Sequence, residues 1–401
     1  PAAGCNDGAM TSPIDSARRL FDDRFGGDPT GVWAAPGRVN LIGEHTDYNN
    51  GLVLPIALPQ ATYAAVRLRE DGLLRLTSAG IEDTAEVPVD EIAPGTPGTW
   101  ARYPAGVLWA FRQAGHQPPG LDIAFASDVP LGAGLSSSAA IEASVAAALS
   151  DLLGLDLLGD DAGRSTLAAW CQRAENDIAL APTGGMDQAA SLRSRAGHAL
   201  ALDCSDGSVE HVPFDLKSSG QVLLVIDTRA EHALSDGQYA ARRADCEQAC
   251  RELALPSLRA LPISGLGIAE ATLSTPVLAK RVRHVVTEID RVRRAKRALA
   301  TDDLATLGSL FNASHDSLRD DFEVSCAELD LAQETALAHG ALGARMTGGG
   351  FGGSAIAIVA ESALPATRAA IGDAFAAAGF LAPAFLEAMP AGPARSVSIE
   401  R

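Results

Sequence analysis

The sequence has no apolar run near the ~18–20 residues that a bilayer-spanning helix needs, and its first thirty residues lack the basic start and apolar stretch of a secretion signal. A soluble, cytoplasmic protein is expected. No C-x-x-C pair occurs: the cysteines (Cys5, Cys171, Cys204, Cys246, Cys250, Cys326) are scattered, with Cys246 and Cys250 four apart in a helical pattern, so reduced, buried thiols are expected. Positive charge is scarce. With 32 Lys+Arg against 50 Asp+Glu the net charge is -18, which nucleic acid and anionic membranes would repel. An anionic ligand must then be held by local devices: helix N-termini, backbone nests, a few placed arginines, a divalent cation. A P-loop, G-x-x-x-x-G-K-[ST], is missing, which removes the P-loop kinases. Tandem repeats and long low-complexity tracts are missing too.

What remains is a chain of 401 residues, 47% hydrophobic and 20% charged, enough at ~150 residues per domain for an ordinary globular enzyme of two or three domains. Pro1 to Ala9, small and polar and ahead of Met10, are set aside from fold reasoning. Strand signals dominate residues 32–127. Val39 to Ile42, the turn Asn49-Asn50-Gly51 and Leu52 to Ile56 read as strand, tight turn, strand. Leu121, Ile123, Phe125 and Ser127 alternate as a strand, and a helix is expected from Ser137 to Leu153. A second helix carries Leu167, Cys171, Ala174 and Ile178 on one face and ends before Pro182, which sets Glu175 beside a buried stripe. A domain boundary is placed in the polar stretch Asp203 to Asp215, dividing the chain into 10–205 and 206–401. Helices are expected over Gly237 to Leu253, Val277 to Ala300, Ala327 to Ala338 and the Ala-rich stretch Ala366 to Ala378. Ser354 to Ala360 reads as a strand and Pro383 to Arg401 as a final strand pair or tail.

Pro130-Leu-Gly-Ala-Gly-Leu-Ser-Ser-Ser-Ala139 joins a strand to a helix, so its backbone N–H groups and the positive helix end converge on a spot suited to phosphate. Alone, such a loop is more often a serine-capped helix start. Met346-Thr-Gly-Gly-Gly-Phe-Gly-Gly353 contains G-x-G-x-x-G, but here a helical stretch precedes and a strand follows, the wrong order for a dinucleotide site. A glycine hinge approached by another backbone is expected there. Gly37-Arg-Val-Asn-Leu-Ile-Gly-Glu-His-Thr-Asp-Tyr-Asn-Asn-Gly51 crowds Arg38, Glu44, His45 and Asp47, groups able to hold vicinal sugar hydroxyls or, for the arginine, an anion. An isolated cluster of this kind is more often a solvated turn, and its single histidine argues against a metal.

Taken together and in order, the three motifs resemble the galactokinase branch of the superfamily that includes homoserine, mevalonate and phosphomevalonate kinases. The resemblance spans about residues 15–360 and includes Ala174-Glu-Asn, Gly184-Gly-Met-Asp-Gln188, Gly237-Gln-Tyr-Ala-Ala-Arg-Arg243 and Ser317 to Cys326; its most specific element is Gly-Glu-His-Thr-Asp-Tyr-Asn. It implies an α+β, two-domain kinase with mixed sheets and helices in each domain and the active site in the cleft between them. It also implies a monomer that phosphorylates the anomeric hydroxyl of galactose from ATP. Glu44, His45, Thr46, Asp47 and Tyr239 are then assigned to the sugar, and Gly132, Ala133, Gly134, Leu135, Ser136, Ser137 and Ser138 to ATP. Ser138 and Glu175 are assigned to Mg2+, while Arg38 and Asp187 flank the reacting hydroxyl. Ser78, in Thr77-Ser78-Ala79, resembles a serine that touches the nucleotide. Two departures are Asn176, where histidine is also common, and Gly185 in place of isoleucine; neither is a proposed catalytic group. Related kinases of N-acetylgalactosamine or arabinose share the phosphate and metal residues, and a non-catalytic sugar and ATP sensor on the same fold is the rival from another class. The intact set Arg38, Ser138, Glu175 and Asp187 disfavours the sensor.

Overall fold

The computed structural model describes residues 12–230 and 235–397. The leader set aside above and the last residues of the expected tail lie outside them. Helices and sheets occur in both halves of the chain. Six strands form the first sheet, in the spatial order Arg395–Val397, Gly31–Asn40, Pro55–Arg69, Gly120–Ser127, Leu73–Ser78, Ala85–Pro88. Against it pack Arg102–Gln113, Ser137–Leu152 and Asp161–Arg173, around Val66, Leu76, Phe111, Ile123, Val145 and Leu167. A second sheet, Gly343–Thr347, Ser354–Ala360, Gln221–Asp227, Ala384–Ala388, is covered by Pro276–Ala300, Ala327–Ala338 and Leu364–Ala378 around Ile226, Val285, Phe322 and Phe375. Between them Val39, Leu54 and Ile56 of the first half share one core with Val292, Phe311 and Ile356 of the second. Among the described residues no helix is long and apolar enough to cross a membrane, and all described cysteines are free thiols, with Cys171 and Cys246 buried.

Three expectations need correcting. The strand at Val39 begins at Gly31, and it meets its partner at Asn40↔Pro55 with residues 41–54 between them instead of a tight turn. That loop folds on itself: Gly51 N donates to Thr46 O at 2.7 Å, Asn49 Nδ2 to His45 O at 2.8 Å, and Leu41 and Leu54 bond across its neck. Leu41 and Ile42, expected at the end of the strand, lie just beyond it as buried core residues. Second, the glycine segment 348–353 is preceded by a strand, Gly343–Thr347, which pairs antiparallel with Ser354–Ala360; the segment is a hairpin loop. Third, the two strands of the tail do not pair with each other. Ala384–Ala388 joins the second sheet and Arg395–Val397 returns to the first.

One local device aims the site. The register of the pair Gly31–Asn40/Pro55–Arg69 slips between Pro36 and Arg38, a bulge of the kind that redirects a side chain. At its centre a Cβ on Gly37 would lie 2.7 Å from Leu135 O, so only glycine lets the loop 130–136 settle there, and Arg38 N donates to Leu135 O at 3.1 Å.

Candidate active site

A cavity of about 590 Å3 opens between the halves, lined by Arg38, Glu44, His45, Asp47, Glu175 and Asp187 from the first and by Tyr239, Gly348 and Gly349 from the second. It adjoins a shallower cavity of about 360 Å3 walled by Gly132, Gly134 to Ser138, Gly350 and Phe351, with Arg38, Asp187, Tyr239 and Gly349 common to both. The sugar cluster and the glycine loop therefore meet at Arg38 and Asp187.

Asp187 stands in the first turn of Met186–Arg193, where the helix dipole favours a negative charge. Arg38 grips it with two parallel bonds, Nε to Oδ1 and Nη2 to Oδ2, both 2.8 Å, while Nη1 donates to Gly134 O at 2.6 Å. Ser136, in the left-handed conformation at φ 59, also donates its hydroxyl to Asp187. It makes no cap to the helix Ser137–Leu152, so the serine-capped helix start is excluded and the first-turn amides are left for a ligand. The Ser136 hydroxyl, assigned above to phosphate, serves the acceptor-side carboxylate in this structure.

Ser138 Oγ donates to Glu175 Oε1 at 3.1 Å. Glu175 sits in a π-helical turn, Ala174–Ile178, and is buried; burial first and the Asp187 charge second push its carboxyl up to about 7. A buried carboxyl short of positive charge beside a hydroxyl is an all-oxygen donor set, which fits a magnesium ion that keeps waters and phosphates as its other ligands. Among the described residues no group of three or more His, Cys, Asp or Glu could hold a metal ion.

The sugar-side loop is tied from beneath by the second half. Arg345 donates to Glu44 Oε2 through Nη2 and to Leu41 O at 2.8 Å; Thr347 Oγ1 and Gly348 N donate to Glu44 Oε1 at 3.2 and 3.0 Å. Glu288 accepts from Gly43 N at 2.9 Å and from Ser314 at 2.7 Å, and lies 3.9 Å from Arg345. Burial raises the Glu44 carboxyl despite Arg345, whereas Arg291 and Arg345 overcome burial at Glu288 and hold it at about 2. His45, itself at φ 63, is held neutral near 3 by burial. Because the Gly349 carbonyl can only accept, Nε2 carries the proton to it at 3.2 Å, and Nδ1 accepts from the Tyr48 hydroxyl at 3.0 Å. Tyr239 packs on His45 at 5.4 Å between ring centres. Burial and the charge of Asp187 raise Asp47 to about 6, with Arg38 opposing. The Asp47 carboxylate lies against Gly184, where a Cβ would come within 2.4 Å of it.

Three residues named from sequence stand away from the cavities. Thr46 is buried with its hydroxyl 2.9 Å from Gly43 O and 2.7 Å from Leu52 O, a staple within the loop. Ser78 ends the strand Leu73–Ser78 and lines neither cavity. Ala133 is buried in the shared core, where its carbonyl accepts from Ser354 Oγ at 2.7 Å. The sequence reading missed Arg102, Tyr103 and Thr183 on the cavity wall, and Glu142, Gln188, Glu288 and Arg345 behind it. Glu142 had a signal in the sequence: it follows Ser138 by one helical turn on the same face.

Comparison with known proteins places this geometry. The models for the N-terminal and C-terminal domains of GHMP kinases match residues 102–195 and 295–377. The mevalonate kinase of Methanococcus jannaschii superposes with a TM-score of 0.65 at 14% identity, covering 91% of this chain and 99% of that one, a likeness of fold. The fold is that of the GHMP kinases. Within that class, the galactokinase galactose-binding signature matches residues 19–68. The galactokinase of Streptomyces coelicolor is 52% identical over 94% of this chain and 96% of its own, and the Lactococcus lactis galactokinase solved with galactose superposes at a TM-score of 0.90 with 32% identity over 96% and 100%. The chain belongs to the galactokinase family.

Proposed function

We propose that this protein transfers the γ-phosphoryl group of ATP to the anomeric hydroxyl of D-galactose, as a cytoplasmic, magnesium-dependent monomer. The observation that carries the reading is the Arg38–Asp187 pair, which stands at the junction of the sugar-side cavity and the glycine-loop cavity. Glu44, His45, Asp47 and Tyr239 form the sugar side, with Asp47 the carboxylate that has least committed to protein partners. The amides of the loop 132–138 and the start of the serine helix cradle the triphosphate. Ser138 and Glu175 would hold magnesium, which when bound neutralises charge on the transferring phosphates.

Asp187 accepts two bonds from a guanidinium and one from a hydroxyl, which fix its carboxylate in place. Its task is to fix the acceptor hydroxyl and to take the proton late, as a loose phosphoryl-transfer transition state requires. Arg38 balances charge on the transferring group, and its link to Gly134 O keys its position to the phosphate loop. Arg38→Ala is expected to lower kcat by about 10²-fold or more. Steady-state kinetics check this, and an unchanged kcat removes Arg38 from the chemistry.

Asp47 gives the sugar site a pH response. As pH falls through about 6 its carboxylate takes up a proton, and a charge-assisted acceptor becomes a neutral one. Galactose affinity should fall about five- to tenfold between pH 7.5 and 5 and stay level above 7, by calorimetry. Asp47→Asn should bind weakly with no such slope.

The activity is tested by mass spectrometry of purified protein with ATP, magnesium and a panel of galactose, N-acetylgalactosamine, arabinose, glucose and mevalonate. Galactose 1-phosphate is the expected product. Phosphorylation of another sugar alone would keep the phosphate chemistry and overturn the sugar assignment; binding of both ligands without product would make the chain a sensor.

A further inference from the structure

Behind the Ser138–Glu175 pair lie two polar side chains that no step above uses. Glu142 and Gln188 are wholly buried. Gln188 Nε2 donates one hydrogen to Glu142 Oε2 at 3.0 Å and its other to Glu175 Oε2. Glu142 Oε1 and the Gln188 amide oxygen, Oε1, have no hydrogen-bond partner. Carboxyl oxygens on both sides leave the Gln188 amide only one useful orientation, nitrogen between them. The Glu142 carboxyl has no other hydrogen bond among the described residues, and burying it costs more than burying an apolar side chain of similar volume. Its retention therefore calls for a reason other than stability.

We propose that Gln188 is the positioning residue of the metal-binding carboxylate and that Glu142 is its anchor. The inference rests on the reading of Ser138 and Glu175 as the magnesium pair. Ser138 holds Oε1 of Glu175 and Gln188 holds Oε2, so the carboxylate is fixed on both oxygens before any ion arrives. Ser138 and Glu142 share one face of one helix, so the hydroxyl and the anchor move as a unit. Gln188 follows Asp187 on the short helix Met186–Arg193. One rigid element thus carries both the group that orients the sugar hydroxyl and the amide that sets the metal carboxylate, which fixes the acceptor and the ion in a common frame. Partners that orient a metal ligand in this way are worth about 10–100-fold in metal affinity.

The test is the affinity of the Mn2+ complex of a non-hydrolysable ATP analogue, read by EPR of the bound ion, beside galactose affinity by calorimetry and the melting temperature. Gln188→Met, close in volume, should weaken the Mn2+ complex about tenfold or more while galactose affinity stays within about twofold. Glu142→Gln keeps an acceptor for the amide and should remain within about twofold of the parent, whereas Glu142→Met should follow Gln188→Met with a smaller loss. Mn2+ affinity unchanged in Gln188→Met overturns the proposal, as does a loss shared equally by metal and sugar, the mark of a merely structural role. If Gln188→Met does not fold, Glu142→Met decides by the same comparison. Glu175→Gln separates the two readings: if it too leaves Mn2+ affinity intact, the metal assignment falls together with the proposal, and if it alone destroys binding, only the role of Gln188 falls.

Discussion

Asp187→Ala protein is expected to bind galactose and to turn over about 10²–10⁴-fold more slowly than the parent, the range that a positioned proton acceptor contributes. Sugar binding survives because Glu44, His45, Asp47 and Tyr239 belong to other elements and do not depend on Asp187 for their hydrogen bonds. Turnover does not, because three donors now lose their common acceptor: Arg38 Nε and Nη2 and the Ser136 hydroxyl. Ser136 is held in the left-handed region, so releasing its hydroxyl also loosens the phosphate loop. Asp187→Asn restores volume and one acceptor oxygen without the charge. Should it match alanine in kcat, charge is the requirement; recovery toward the parent would make position sufficient. Retention of more than about a tenth of parental turnover in Asp187→Ala would remove the residue from the chemistry.

The other large effect concerns Arg345, which touches no proposed ligand. It is wholly buried, with Glu44 and Glu288 as its acidic neighbours. Arg345→Met should cost about 3–5 kcal/mol, the usual penalty for breaking a buried ion pair from one side. Glu288 retains Arg291, Ser314 and Gly43 N, so the uncompensated charge is that of Glu44. The sign of the pH effect follows. The folded-state pKa of Glu44 is already above its ordinary value, and without the guanidinium it rises further. Below the unfolded value the carboxyl is neutral in both states and the penalty is absent; between that value and the raised folded one the unfolded chain ionises first, so stability is lost as pH rises through that window and stays low above it. Denaturant melts at pH 5 and pH 8 should therefore show the larger deficit at pH 8, with Glu44→Gln/Arg345→Met recovering part of it at pH 8. Equal deficits at both pH values would place the cost in lost packing instead.

Much of the site was written locally in the sequence and some of it was not. The glycine loop and the cluster at Arg38 to Asp47 each lie in one stretch of chain; short-range rules left each with a bland alternative, and only their joint resemblance to the galactokinase branch assigned the roles. The helix Ala327–Ala338, built of good helix formers, and the strand Ser354–Ala360, a continuous apolar run, are also legible locally, by composition and not by periodicity. Arg345 is different: its partner Glu44 lies three hundred residues away, and nothing near either residue announces the other. The loop 41–54 misled for a related reason. Asn49-Asn50-Gly51 has the composition of a tight turn, but Gly43 and Glu44 are engaged by the helix Pro276–Ala300 and the hairpin 343–360, and those contacts outweigh the local preference. Ser136 shows the same limit at atomic scale, since the choice between capping a helix and donating to Asp187 depends on where a distant helix places that carboxylate.

The strand that carries Arg38 has one edge on Pro55–Arg69 and the other on Arg395–Val397. During synthesis from the N-terminus, the second edge stays without its partner until Arg395–Val397 has left the ribosome. At ~5–20 residues per second that interval is on the order of tens of seconds. An unpaired edge for so long is an invitation to pair with a neighbouring nascent chain. In the folded protein Arg395–Val397 closes that edge at Val32, Trp33 and Ala34.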